Sequence, residues 1–224
     1  PTHPDNLKLE ADAFVELAKS GVDGVHLDYI RYPYRAPYCY CDRCRALFEK
    51  RVGRRFANWP ADVKKDKAMR AEWTAFRSEN ITALVREVSR RVRKEAPGVK
   101  ISAAVFECPL TVAQDNGQDW LTWCREKLVD FVCPMNYYLN SCALHTALCR
   151  QQARLAAGVP VRPGIGPSVW KGKMSARDDA EKTKEQIRGI RANGQDGFCV
   201  FDFAGRTEKM LPFVFGAGGD LFAA

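Results

Sequence analysis

Five short apolar segments recur along the chain, at residues 24–27, 99–106, 129–135, 161–165 and 197–203. Between them lie stretches with helical character at 7–19, 43–52, 69–95, 118–127, 143–157 and 176–192. A strand buried on both faces reads as a continuous apolar run rather than an alternating one. Strands that alternate with helices build βαβ units, whose strands lie parallel in one sheet. The chain is therefore expected to be α/β. A closed (β/α)8 barrel of the TIM type needs eight strands and typically ~250 residues, whereas these 224 residues carry five strand segments. Two architectures fit: an open five-stranded sheet, or the C-terminal five-eighths of a barrel, strands 4–8 with their helices. Residues 58–67 are polar but too short to separate domains, so one domain over 1–224 is expected.

Several classes are disfavoured by composition. No apolar run approaches the ~20 residues that span a bilayer. The net charge of +8 comes largely from helix-borne Lys and Arg interleaved with acids, as in Arg90, Arg91, Arg93, Lys94 and Glu95. Such a run is a solvated helix face, and no nucleic-acid motif accompanies it, so nucleic acid is not an expected partner. An anionic polymer remains open. The first residues, Pro-Thr-His-Pro, read as part of a loop, so a leader could have preceded them and the compartment cannot be read.

The polar residues at the strand ends carry the chemistry. Asp28 closes the first strand, Glu107 follows the second, Asn136 and Tyr137 follow the third, Trp170 lies beyond the fourth, and Asp202 sits in the fifth. In (β/α) barrels the catalytic groups sit at the C-terminal ends of the strands. Glycoside hydrolysis needs two carboxyls, one to protonate the leaving oxygen and one to attack the anomeric carbon or activate water. Asp28, Glu107 and Asp202 are the candidates. His26, Arg31, Tyr32, Asn136, Tyr137 and Trp170 are candidates to hold substrate, since aromatic faces and a few polar groups line sugar sites. Bland roles stand beside these. Asp28 could cap the next turn or pair with Arg31, Glu107 could pair with an Arg, Asp202 could be a structural ion-pair partner, and the aromatics could close the mouth of a barrel. His26 lies two residues before Asp28, on the same side of the strand, where it would orient Asp28 or bond a sugar hydroxyl.

Nine cysteines is an odd total, which argues against a fully paired disulfide framework. Cys124, Cys133, Cys149 and Cys199 fall in expected helices or strands, where a thiol acts as a small buried hydrophobe. Cys39, Cys41 and Cys44 differ: three thiols at i, i+2 and i+5 before a helix can converge on Zn²⁺, which takes four such ligands. A structural zinc is expected there, with Cys108 or a residue outside this chain as fourth ligand. A disulfide with a spare thiol, or three reduced thiols, are the alternatives.

The segment Gly-Val-Asp-Gly-Val-His-Leu-Asp-Tyr-Ile-Arg-Tyr-Pro at 21–33 follows Pro-Thr-His-Pro and a helix. Together with Val-Lys-Ile-Ser-Ala-Ala-Val-Phe at 99–106, Gly-Gln-Asp-Trp at 117–120 and Val-Asp-Phe-Val-Cys-Pro-Met-Asn-Tyr at 129–137, it resembles the glycosyl-hydrolase-like barrel family related to family ten. That resemblance implies a TIM barrel whose strands one to three would lie before Pro1, mostly bacterial and often exported, with some members acting on cell-wall glycan. The Gly-Val-Asp-Gly-x-x-x-Asp pattern also looks like the fourth strand of α-amylase-type barrels, which makes Asp28 the nucleophile and Glu107 the acid/base, with Asp202 as the other second carboxylate. The Cys-x-Cys-x-x-Cys run is similar to a zinc-binding loop of some β-galactosidase barrels. The implied activity is cleavage of O-glycosidic bonds in an oligo- or polysaccharide. The rivals are a non-catalytic carbohydrate-binding barrel and a zinc-dependent hydrolase, and the sparse histidines argue against the latter.

Overall fold

A computed structural model describes residues 2–33, 39–139, 141–170, 172, 174–203 and 205–216, without the side chains of 112–115. The chain is α/β, as the alternation requires. Its elements run α1 (Pro4–Lys19), β1 (Gly24–Leu27), α2 (Asp42–Val52), α3 (Ala61–Lys65), α4 (Lys67–Glu95), β2 (Lys100–Val105), α5 (Pro109–Asn116), α6 (Trp120–Arg125), β3 (Phe131–Pro134), α7 (Cys142–Leu155), β4 (Gly164–Ile165), α8 (Ala176–Ala192), β5 (Cys199–Val200) and α9 (Arg206–Phe215). Residues divide between two compact units, 1–102 with 108–129 and 103–107 with 130–224. Strand β2 contributes to both.

In the first unit α1 packs on α4. Ala11, Val15 and Ala18 on α1 are buried, as are Ile81, Leu84, Val85, Val88 and Val92 on α4. Those α4 positions follow three- and four-residue steps, which is the condition for one apolar face. Asp66 opens α4 by accepting from the Ala68 and Met69 N–H groups, which have no intrahelical partner. At the rim of the pair, Arg91 is ion-paired with Asp12 and with Glu95, the latter at 3.1 Å. The N-terminal half of α4 closes a second core with α2. There Phe48 stands edge-on to Trp73 with centroids 5.0 Å apart, and Tyr40 stacks on Trp73 at 4.8 Å. Within this unit Lys100 N–H donates to the Asp23 carbonyl, which seats the start of β2 beside β1.

In the second unit Met135 N–H donates to the Val105 carbonyl at the end of β2. Val132 of β3 forms a parallel bridge to Val161, and β4 pairs parallel with β5 in the register Gly164 to Cys199 and Ile165 to Val200. The fourth and fifth strands are shorter than their apolar runs suggest. Pro160 and Pro163 offer no N–H to a ladder, so the fourth segment splits into an isolated bridge at Val161 and a two-residue β4. Beneath these strands Ile165, Trp170, Ala180, Ile187, Ile190, Met210 and Val214 form one buried cluster. A capping box opens α8, with Ser175 and Asp178 each satisfying the other's backbone N–H. Asp179, fully buried, is held by Arg206, whose guanidinium also donates to the Trp170 carbonyl at 2.8 Å.

Candidate functional site

Asp28 directly follows β1, whose Val25 and Leu27 are buried while Gly24 and His26 are exposed. Its Oδ1 accepts from the Tyr29 N–H at 2.7 Å, and the Arg31 guanidinium lies 3.8 Å from the same oxygen. The turn that brings these groups together puts Tyr29 at φ 52°, a left-handed conformation costly for an aromatic residue. Arg31 in turn covers the Tyr29 ring at 4.4 Å. Asp28, Tyr29 and Arg31 line a cavity of about 350 Å³ with Asn6, Glu10 and Phe14 of α1. Glu10 is thus a second carboxylate of that cavity. Its place on an exposed helix turn carries no sequence signal, because only the α1 packing brings it to the end of β1.

The neighbouring candidates of this unit are held differently. His26 Nδ1 is 2.7 Å from Ser102 Oγ, so its ring ties β1 to β2. Partial desolvation lowers the His26 pKa, and the nearby Asp28 charge only partly opposes this. Tyr32 is 5% exposed, with its ring under the Arg77 guanidinium at 4.5 Å and its N–H donated to the Asn116 carbonyl. Burial pushes its hydroxyl pKa up to about 12. Tyr32 therefore presents no open ring face to a sugar; it is a core residue, because the turn after Asp28 folds inward at Ile30 and Tyr32.

The sulfurs of Cys39, Cys41 and Cys44 lie within 4.8 Å of one another at the start of α2. Hydrogen bonding from the Cys44 backbone, then from Cys39, lowers the Cys41 pKa, whereas burial pushes Cys44 up to about 12. Three soft donors converging at a helix start could hold a metal ion. Cys108 is exposed and is not part of this cluster, because β2 ends before α5 and carries it elsewhere in the unit.

In the second unit the Glu107 and Asp202 carboxylates make no ion pair among the described residues, and the backbone at each position is what the fold holds. The Glu107 carbonyl accepts from Gln152 Nε2 at 2.8 Å, and Gln152 forms a reciprocal amide pair with Asn136 at 3.0 and 2.9 Å. Asn136 is 2% exposed, so this amide holds the ends of the strands together rather than facing solvent. Tyr137 stacks on Phe201 with centroids 4.5 Å apart. Ser168 Oγ donates to the Phe201 carbonyl and accepts from the Asp202 N–H, pinning the chain beyond β5. Trp170 is 5% exposed within the cluster under β4 and offers no sugar platform; the turn after β4 sends it inward.

Residues 1–169 match the family described as Glycosyl hydrolase-like 10. The chain belongs to that family. Among solved structures it is similar to the PgaB (BpsB) glycoside hydrolase domain from Bordetella bronchiseptica, at 14% identity and a TM-score of 0.71, covering 97% of this chain and 64% of that one. It is also similar to β-galactosidase from Bacillus circulans sp. alkalophilus, at 17% identity and a TM-score of 0.64, covering 90% of this chain and 34% of that one. At these identities the likeness shows the fold: an α/β arrangement of helices and parallel strands similar to glycoside hydrolase barrels. This glycosyl-hydrolase-like chain spans less than two thirds of the length of either structure. No curated protein matches it.

Proposed function

We propose that this chain is the C-terminal part, strands 4–8, of a (β/α)8 glycoside hydrolase that cleaves O-glycosidic bonds in an oligo- or polysaccharide. The observation that carries the reading is the setting of Asp28: at a strand end, in a cavity, with one oxygen held by the Tyr29 N–H and lying near Arg31. Holding Oδ1 orients the carboxylate and leaves Oδ2 to attack an anomeric carbon. Asp28 is the nucleophile, Glu107 the acid/base that protonates the leaving oxygen, and Asp202 the alternative second carboxylate. His26, Arg31 and Tyr137 contribute to substrate binding. A carboxyl separation of ~5–5.5 Å goes with retention of configuration and ~6.5–9.5 Å with inversion.

The test is hydrolysis of a panel of oligosaccharides by the longer protein and by its Asp28→Asn, Glu107→Gln and Asp202→Asn variants. Loss of one essential carboxyl is expected to lower kcat by about 10²–10⁴-fold. Turnover that persists unchanged in all three variants would defeat the assignment. Sugar binding with no turnover in any form would favour the carbohydrate-binding barrel.

The three thiols of Cys39, Cys41 and Cys44 would hold a structural Zn²⁺, with a fourth ligand from outside this cluster. Their convergence at the N-terminus of α2, beside the aromatic core of Phe48, Trp59 and Trp73, supports a role in shaping the rim rather than in catalysis. Catalytic zinc sites usually include His or carboxylate ligands.

A further inference from the structure

At the strand ends of the second unit one aromatic pair is stacked, and the aromatic residues next to it in sequence are exposed. Phe201 is 41% exposed, Phe203 76% and Tyr138 77%. Tyr137 is seated on bare backbone: a Cβ added at Gly164 would lie 2.3 Å from its Cε1, and one at Gly166 2.5 Å from its Cβ. Gly164 thus makes room for the Tyr137 ring and Gly166 for its Cβ and backbone, and Phe201 stacks on that ring nearly parallel, with 12° between the planes. Ser168 then fixes Phe201 and Asp202 through the Phe201 carbonyl and the Asp202 N–H. The Asp202 carboxylate, flanked by Phe201 and Phe203 in sequence, has no partner among the described residues.

We propose that Tyr137, Phe201 and Phe203, with the Asp202 carboxylate, form a binding subsite for one pyranose ring of a neutral glycan. The C–H groups on one face of a pyranose are apolar and suit a rigid aromatic shelf, while its equatorial hydroxyls are donors that suit an open carboxylate acceptor. A preformed shelf costs little ordering on binding. The same carboxylate repels uronic acids and other anionic sugars, which selects a neutral ligand. The subsite rests on the carbohydrate reading but not on hydrolysis, because none of the three rings does chemistry.

Binding of cellohexaose, xylohexaose and chitohexaose to the chain is measured by isothermal titration calorimetry, with hexagalacturonate as the anionic control. At least one neutral oligomer is expected to bind and hexagalacturonate not to. Phe201→Ala and Phe203→Ala are each expected to weaken that binding about 3- to 10-fold, and Phe203→Trp to restore it, with circular dichroism unchanged. Binding that is unaffected by both alanine variants overturns the subsite. So does a Phe203→Ala variant that changes only the oligomeric state in gel filtration, since the rings would then be a contact between copies. If ring variants weaken binding while no form turns over sugar, the subsite stands and hydrolysis fails. If Asp28→Asn abolishes turnover while ring variants bind normally, the reverse holds.

Discussion

Gly166 shows how much of this site depends on one missing atom. An added Cβ would meet Tyr137 Cβ at 2.5 Å and its Cα and carbonyl oxygen at 2.7 Å, and two of these are backbone atoms that cannot swing aside. Gly166→Ala is therefore expected to destabilise the second unit by ~1–3 kcal/mol, the usual cost of overpacking a fitted contact. Urea denaturation should show a lower midpoint at unchanged m-value. A midpoint equal to that of the parent would mean that Tyr137 is not seated on this glycine. The same scale explains which candidate residues stand out in the sequence. Asp28 is legible because a carboxylate closing an apolar run is uncommon. The partner of His26, Ser102, lies 76 residues away and cannot be seen in a local pattern. Tyr32 and Trp170 sit in the stretches where strand-end aromatics are expected, yet both point inward. Composition tells that a ring is present but not which way the turn after the strand carries it.

Helix α4 was legible as an element because its apolar steps and the Pro97-Gly98 stop are local signals. The short elements were not. The α9 helix contains Pro212, which reads as a breaker although its missing N–H is tolerated. The apolar runs at 161–165 and 197–203 exaggerate strands that pair over two residues each. The start of α2 lies between these cases: the cysteine spacing is local, and the fold brings the three sulfurs within reach of one ion. Zinc needs thiolates, so each proton it displaces makes the affinity depend on pH. Burial pushes the Cys44 thiol up to about 12, so zinc must displace its proton to bind there. The sign follows: zinc affinity is expected to rise with pH and to be weaker at pH 6 than at pH 8. Competition with a chromophoric chelator at both values checks this. Cys44→Ser should then lose most zinc affinity and lower the melting temperature of the zinc-loaded protein to that of the chelated one. Equal affinity at both pH values, or no zinc taken up, would sink the zinc centre while leaving the fold of the helix intact.

At the scale of the whole molecule, the alternation of segments in the sequence led to the α/β class because it is set by periodicity, which every helix and strand reports locally. How far the sheet closes is not a local property; it depends on pairing between strands far apart in the chain. Two features of the first unit bear on it. Leu9 on α1 is 66% exposed and Leu17 55%, two turns apart on one side of the helix, and Val22 on the way into β1 is 40% exposed. An apolar stripe of this kind is what a preceding βα unit of a barrel would cover. On the proposed reading as strands 4–8, a form that also carried strands one to three is expected to be more soluble and more active than residues 1–224 alone, which should show poor activity per mole and concentration-dependent association. Sedimentation velocity and the specific activity of the two forms on the same oligosaccharide decide the matter. Leu9→Glu with Leu17→Glu should cure the association of the short form but impair the long one, because the charges would then be buried without partners. If both forms have equal specific activity, the five strand segments suffice, and the open-sheet architecture replaces the partial barrel.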